Sequence, residues 1–272
     1  MKKYGGLHMP LVERITQEEQ HGINPDKAVK TRLHQIYGAY VQPNGNKKAE
    51  ALINQIGEML ASPAKHELAT KGSAGPGPAK ICEGIIYKLL KLHSSTNERL
   101  PYYNDFYDFV FSHIGAVDKI LDLGCGFNPF SLPFLPQKPT EYYAVDIDIH
   151  TKDLLNDFFE TMHLPKHATC EDLETVTPQV NVDLALMLKL FPVLRANSPG
   201  RAYNLANGLN ATWLVVSFPT KSLGGKKKGM EANYAAGFYD ALSKNALGKF
   251  NLIAETAIGN ELIFLMRKLI KP

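Results

Sequence analysis

Gly124 and Gly126 follow directly on an apolar run, residues 120–123, and Asp146 ends a second run twenty residues after Gly126. A glycine at a strand end lets the backbone come close to a ligand, because no Cβ stands in the way. A carboxylate at the end of the next strand can accept hydrogen bonds from ribose hydroxyls. Asn128-Pro129 can open a helix after the turn, since proline fits the first helical turn. Strand, glycine turn, helix and acidic strand end together make a nucleoside-binding unit.

The spacing in Lys119-Ile-Leu-Asp-Leu-Gly-Cys-Gly-Phe-Asn-Pro129 is D-x-G-x-G, and Pro129 stands where the third glycine of G-x-G-x-x-G would be. It carries no pyrophosphate signal. S-adenosylmethionine, which has a ribose but no phosphate, suits it better; the competing reading is a glycine turn inside any α/β domain. Other residues fall at the same sheet edge, where open α/β sheets bind ligands. Asp172, after the third strand, could accept from an adenine amino group while the backbone of Leu173 meets the ring; otherwise it is a solvated loop carboxylate. Lys189, after the fourth strand, could face the substrate or the methionine carboxylate, or snorkel outward. Arg99 could hold that carboxylate in a bidentate pair, or be a surface arginine. Residues 217–231 form a glycine-punctuated loop with Lys221, Lys226, Lys227 and Lys228, suited to phosphate contacts or simply solvated. Neither a Ser-His-Asp arrangement nor a metal cluster is evident, and the nine histidines are scattered.

These positions need a scaffold. From residue 118 onward strand and helix signals alternate. Strands are expected at 119–123, 141–146, 167–171, 182–188, 211–217, 250–255 and 260–267, and helices near 129–134, 151–162, 198–208 and 230–243. The last two strands are joined by Ala257-Ile-Gly259, too short for a crossover helix, so they form an antiparallel hairpin. The fold class is therefore α/β: a Rossmann-like, seven-stranded, mostly parallel sheet with an antiparallel last strand, the layout of class I methyltransferases. In front of it, helices are expected over 9–20, 27–40, 47–60, 79–92 and 103–111, with a capping pattern at Ser94/Ser95 and Glu98. Residues 62–80 read as a loop or linker. The division expected is a helical part, 1–92, and a methyltransferase domain, 93–272.

The chain has 272 residues and a net charge of +3. Residues 1–100 carry 14 Lys/Arg against 9 Asp/Glu, so the excess of cation lies ahead of the nucleoside unit. Such asymmetry suggests a polyanion partner, or a solvated basic helix face. No apolar run approaches the roughly 20 residues of a membrane helix, and three widely spaced cysteines make no disulfide framework. A cytoplasmic protein without a membrane partner is expected.

Three blocks carry a resemblance: Thr31-Arg-Leu-His-Gln-Ile-Tyr-Gly-Ala-Tyr40; Leu92-His-Ser-Ser-Thr-Asn-Glu-Arg-Leu100 with Tyr107-Asp-Phe109; and Ser217-Phe-Pro-Thr-Lys-Ser-Leu-Gly-Gly225 with Lys228-Gly-Met-Glu-Ala-Asn-Tyr-Ala-Ala236. With the glycine turn, they make the chain similar over nearly its whole length to the aminoglycoside-resistance 16S ribosomal RNA (guanine(1405)-N7)-methyltransferases. The resemblance implies S-adenosylmethionine contacts at Tyr37, at His93, Ser94, Ser95, Thr96, Asn97, Glu98 and Arg99, and at Gly124, Asp146, Asp172, Leu173 and Leu188. It implies that the helical front part docks, as a monomer, on the assembled 30S subunit at the helix 44 decoding site. Lys27, Lys30, Arg32, Lys88 and Lys91 are the candidates for phosphate contacts. Two departures are a front end shorter than usual and an insertion at 62–80.

Guanine N7 has a free lone pair at neutral pH, so methylation there needs no general base, only positioning. The N7 edge lies in the deep groove of A-form RNA, so the base would be flipped into the cleft. Lys189 and the 217–231 loop would hold its phosphates, and Phe191 or Phe218 could stack on it. The alternatives are a small-molecule methyltransferase with a helical lid, an enzyme acting on N1 of the neighbouring adenine, and a non-catalytic ribosome-assembly factor.

Overall fold

The computed structural model describes residues 6–22, 24–34, 44–61, 78–197, 200–220 and 230–269. The sheet has seven strands: β1 (Lys119–Leu123), β2 (Glu141–Asp146), β3 (Ala168–Cys170), β4 (Asn181–Leu188), β5 (Asn210–Pro219), β6 (Phe250–Ile258) and β7 (Glu261–Lys268). Their order is β3-β2-β1-β4-β5-β7-β6. The β1–β2, β2–β3, β1–β4 and β4–β5 pairs are parallel, and β7 runs antiparallel to both neighbours. The order in which strands are added reverses at β1, with β2 on one side and β4 on the other, so the carboxyl ends of β1, β2 and β4 surround one crevice, the place where such sheets bind ligands. All seven strands fall where hydrophobic runs put them, to within a few residues. The β6–β7 hairpin turns through Gly259, φ +57°, and Asn260.

The helices among the described residues are α1 (Met9–Glu19), α2 (Pro25–Leu33), α3 (Gly45–Ala61), α4 (Pro78–Leu90), α5 (Ser94–Arg99), α6 (Tyr103–Ile114), α7 (Ile149–Thr161), α8 (Leu190–Asn197), α9 (Arg201–Gly208) and α10 (Met230–Ser243). Three differ from expectation. The helix after the glycine turn is a 3₁₀ helix, Asn128–Phe134, interrupted by Pro133. The segment after β4, where no helix is expected, is helix α8, with Pro192 in its first turn, where a missing N–H costs nothing. The capping pattern at Ser94/Ser95 fails: His93 is the N-cap of α5 and no side chain caps it. Ser95 Oγ instead bonds His93 Nδ1 at 2.9 Å, and Glu98 pairs with Lys189.

The sheet is covered on both faces. One core holds Phe127, Phe130, Phe158 and Phe159 together with Ala49, Ile53 and Ile56 of α3 and Ile85, Ile86, Leu89 and Leu90 of α4. The other lies under α8, α9 and α10 and contains Phe191, Phe218, Phe238 and Phe264. A third, small cluster joins α1 to α2 through Leu7, Leu11, Ile15, Val29 and Leu33, with Ile147 of the β2–α7 connection packed against it. The expected front part, 1–92, thus divides its side chains between two cores: α3 and α4 join the sheet's main core, while α1 and α2 form a separate pair over the β2 end. No described helix is long and apolar enough to cross a membrane.

Candidate functional site

The crevice at the strand ends opens into a cleft of about 910 Å³, counting its mouth. Its floor is the turn after β1. Gly124 and Gly126 sit at φ +62° and +50°, where L side chains are strained. A Cβ on Gly124 would lie 2.8 Å from Leu190, and one on Gly126 would lie 2.8 Å from the His93 ring. Both glycines are therefore required by backbone angle and by space, and together they form a cradle that a side chain would fill.

Asp146, at the end of β2, lines this cleft. Its Oδ2 accepts from Gly126 N at 2.8 Å and its Oδ1 from Asp148 N at 3.0 Å. Burial raises its pKa to about 6, although the two amides pull the other way. Two backbone donors fix the carboxylate, and each oxygen keeps a lone pair for a further donor. Such a group suits ribose hydroxyls.

The opposite end is Asp172, in the loop after β3. Its Oδ1 accepts from Glu174 N at 2.9 Å, and its Oδ2 takes Arg14 Nε and Nη2 at 3.1 and 2.9 Å. Arg14 comes from α1, whose Leu11 lines the cleft. The same loop is held from the other side by Arg201 of α9, which donates to the carbonyls of Leu173 and Val176 at 2.7 and 2.5 Å. Between the acidic ends the wall is apolar: Ile147, Leu173, Leu188, Leu190, Val193 and Leu194. An apolar slot with hydrogen-bond acceptors at both ends fits an adenosine.

Behind the turn a buried polar network supports the site. Asn128 Nδ2 donates to Asp122 at 2.8 Å, and Arg99 Nη1 donates to Asn128 Oδ1 at 3.0 Å. Arg99 Nη2 lies 2.8 Å from both carboxylate oxygens of Glu261. Lys189, held at φ +57°, places its Nζ 2.7 Å from Glu98 and 3.4 Å from Glu261. Burial alone would raise the Glu261 pKa, but the charges of Arg99 and Lys189 hold it below the ordinary value. Burial, with Arg99 and Lys189 nearby, lowers His93 to about 3, so its ring is neutral at physiological pH. Burial raises Asp122 to about 6 against the hydrogen bonds from Asn128 and Tyr142. Removing one partner of a buried pair such as Arg99–Glu261 costs about 3–5 kcal/mol.

The structure brings Gly124, Gly126, Asp146, Asp172, Leu173, Leu188, Lys189, His93 and Ser95 to one cleft. Other expected positions lie elsewhere. Thr96 is buried and donates to Leu90 O and His93 O. Ser94 is half-buried and Asn97 exposed, and neither lines the cleft. Arg99 is 5% exposed and committed to Glu261 and Asn128, so it supports the floor from behind rather than reaching a ligand carboxylate. Lys189 neither points outward nor stands alone; it belongs to the Glu98–Glu261 network. Phe191 and Phe218 cannot stack on a base: they are 0% and 1% exposed, locked edge-to-face with each other and with Phe238. Arg32 is paired with Glu18 and Glu19 at 2.5 and 3.3 Å rather than offered to phosphate. Lys27, Lys30, Lys88 and Lys91 are exposed. Tyr37, Lys221, Lys226, Lys227 and Lys228 lie outside the described residues.

Sequence reasoning missed Leu11, Arg14 and Glu261, and saw Asp122 only as a motif letter. Nothing local marks Arg14, which meets Asp172 across 158 positions of chain. Glu261 did carry a signal: an acidic residue directly before the apolar run Leu262-Ile-Phe-Leu-Met266.

The family described as ribosomal RNA methyltransferase (FmrO) matches residues 1–264. A 16S rRNA (guanine(1405)-N(7))-methyltransferase of Serratia marcescens is 34% identical over 271 residues, covering 98% of this chain and 94% of that one. A protein of the same description from Proteus mirabilis is 30% identical over 98% of this chain and 93% of its own. Among solved structures, the 16S rRNA methyltransferase RmtF in complex with S-adenosyl-L-homocysteine superposes with a TM-score of 0.80 at 30% identity, covering 99% of this chain and 94% of that one. The 16S rRNA methylase RmtB superposes with a TM-score of 0.76 at 31% identity, with the same coverage. A family match over residues 1–264, with relatives 30–34% identical along 98% of the chain, leaves one assignment: the chain belongs to the FmrO family of ribosomal RNA methyltransferases.

Proposed function

We propose that this chain methylates N7 of guanine 1405 in 16S ribosomal RNA, with S-adenosylmethionine as donor and the assembled 30S subunit, at its helix 44 decoding site, as substrate. One observation carries the reading: the slot between Asp146 and Asp172, floored by two positive-φ glycines, lies in a chain similar over nearly its full length to enzymes of that name. The reading places the chain in the cytoplasm, acting as a monomer.

The residues present fit the donor. Asp146 would accept from the ribose hydroxyls and Asp172 from the adenine amino group, while Ile147, Leu173 and Leu190 enclose the ring. When bound, S-adenosylmethionine supplies a methyl group on a cationic sulfonium sulfur. The protein then has little covalent chemistry to do. N7 of guanine carries a lone pair and no proton, so no base need act on it. That agrees with a cleft in which His93 is neutral and packed against Gly126, and Lys189 is already charge-paired. The protein's part is to hold N7 in line with the methyl, worth several kcal/mol when the reacting atoms are fixed in contact. The product guanine is cationic and bulkier at N7, which would hinder aminoglycoside binding. With Phe191 and Phe218 buried, a flipped base must be held by other groups at the cleft mouth.

The test is incubation of the purified chain with unmethylated 30S subunits and labelled S-adenosylmethionine, followed by mapping of the modified nucleotide. Label at N7 of one guanine is expected. Label at N1 of an adenine, or none on RNA, overturns the reading.

A further inference from the structure

Helix α1 is fastened to both acidic ends of the cleft. At the β2 end, His8 N donates to Ile147 O at 2.9 Å and Ile149 N to Gly6 O at 2.8 Å, so residues 6–8 run beside the β2–α7 connection. At the β3 end, Arg14 reaches Asp172 through two nitrogens and Glu174 at 2.6 Å. Between these ties Leu11 forms part of the cleft wall. The anchoring continues outward. Arg14 Nη1 lies 2.8 Å from Glu18 Oε1, and Glu18 Oε2 lies 2.5 Å from Arg32 Nη1 on α2. Arg32 also comes within 3.8 Å of Glu174. Charged groups therefore form an unbroken chain from α2, through α1, to the carboxylate at the adenine end of the cleft.

We infer that Arg14 is a positioning residue for cofactor capture, and that the Arg32–Glu18–Arg14–Asp172 chain links cofactor affinity to the seating of α1 and α2 on RNA. The inference rests on the function proposed above for its second half only. Asp172 is aimed by a planar guanidinium whose Nε and Nη2 both donate to its Oδ2, which holds that oxygen in place as well as balancing its charge. Without it, Asp172 keeps the Glu174 amide on its Oδ1, but its Oδ2 loses both guanidinium donors and Glu174 loses its 2.6 Å ion pair. Because α2 also carries Lys27 and Lys30, RNA that seats α2 firmly also holds Arg14 firmly. Linkage is reciprocal: if RNA tightens cofactor binding by some factor, cofactor tightens RNA binding by the same factor.

The experiment is calorimetric titration of S-adenosylhomocysteine into the full chain, alone and with saturating 30S subunits. For the unmutated chain the subunit is expected to tighten binding by about fivefold or more, the lower range of known couplings. Arg14→Gln is expected to weaken binding about tenfold without subunits, and to bring the coupling factor close to one. Arg14→Lys restores charge but not the two-point contact, so it recovers only part of the affinity. Glu18→Gln leaves the Arg14–Asp172 contact in place and lowers the coupling factor more than the basal affinity. This fourth measurement keeps the test alive should Arg14→Gln fail to fold. Basal affinity of Arg14→Gln within twofold of the unmutated chain overturns the positioning role. A coupling factor unchanged in Arg14→Gln or Glu18→Gln overturns the linkage. Should the unmutated chain leave 30S unlabelled, the proposed function fails, while the titrations without subunits still decide the role of Arg14.

Discussion

The two acidic ends of the cleft are built in opposite ways. At the β2 end, Asp146 is gripped by backbone amides, those of Gly126 and Asp148, which belong to the same sheet edge. At the β3 end, Asp172 keeps one local amide, Glu174 N, on its Oδ1, but its Oδ2 is gripped by a side chain from a helix outside the sheet, 158 residues away. The first grip is set as soon as β1 and β2 pair, and it survives any side-chain change that keeps the turn. The second exists only while α1 is docked. One end of the site is therefore preorganised by the sheet and the other is conditional on the helix pair. Preorganised donors and acceptors cost nothing to align at the moment of binding, whereas conditional ones can be regulated.

The largest effect should come from breaking the preorganised end. Asp146→Ala removes the ribose acceptor and also strips Gly126 N and Asp148 N of their partner. The stripped amides cost stability, and each lost ribose hydrogen bond to the carboxylate costs about 1.5–3 kcal/mol of binding, so affinity for S-adenosylhomocysteine should fall roughly 100-fold or more. Calorimetry below the melting transition of the variant, where it is folded, checks this. An affinity within threefold of the unmutated chain would remove Asp146 from the cofactor site, and with it the contrast between the two ends.

A milder perturbation acts on the same group through pH. Burial raises Asp146 to about 6 from an ordinary 3.8, so it takes up a proton as pH falls through 6. Protonation halves its capacity as an acceptor, and cofactor affinity should drop by up to about tenfold per pH unit below 6. Folding should respond with the opposite sign. A carboxyl whose folded value lies above its unfolded value costs stability when ionised, above pH 6, and that cost fades as pH falls toward 4. Asp122, raised to the same region, adds to the stability change but does not line the cleft. Asp146→Asn should flatten the affinity profile between pH 8 and 5 while leaving the Asp122 contribution to stability. A profile that stays steep in that variant places the titrating group elsewhere.

What the sequence made legible follows the same divide. β1, the glycine turn, β2 and Asp146 are contiguous in chain, and period, glycine and spacing sufficed to place them. The mostly parallel sheet with its antiparallel final pair followed from alternation of elements and from one short hairpin; the strand order did not. Missed features depend on distant partners. Arg14 meets Asp172 and Glu261 meets Arg99 across more than 150 residues, and no local pattern reports such a meeting. Sequence draws Arg99 toward the ligand because it lies just before the core, and Phe191 and Phe218 because they adjoin strand ends at the cleft edge. The fold turned Arg99 to Glu261 and both rings into the aromatic core, since a buried ring gains about 1.5–3 kcal/mol and needs no partner in the cleft. Arg32 shows the same error on the surface, where a basic residue near lysines was read as a phosphate contact and two carboxylates of α1 had claimed it.

The conditional end offers the gentlest test, on the outer surface of α2. Lys27 and Lys30 are three residues apart on this helix and both are exposed, whereas Arg32 turns toward Glu18 and Glu19. Reversing Lys27 and Lys30 to glutamate, with Arg32 left intact, changes the charge presented to RNA without breaking the ion pairs that lead to Asp172. Binding to 30S should weaken about fivefold at low salt, and the slope of log affinity against log salt should flatten by about two, one for each lost phosphate contact. Affinity for S-adenosylhomocysteine alone should hold, because the Arg14–Asp172 contact is untouched. Filter binding across a salt series measures the slope, and calorimetry the cofactor. If cofactor affinity falls with the double reversal, the outer face of α2 is not separable from its inner face, and the division between a preorganised and a conditional end has been drawn in the wrong place. If the salt slope does not move, RNA meets the protein through other cations, with exposed Lys88 and Lys91 the next pair to reverse.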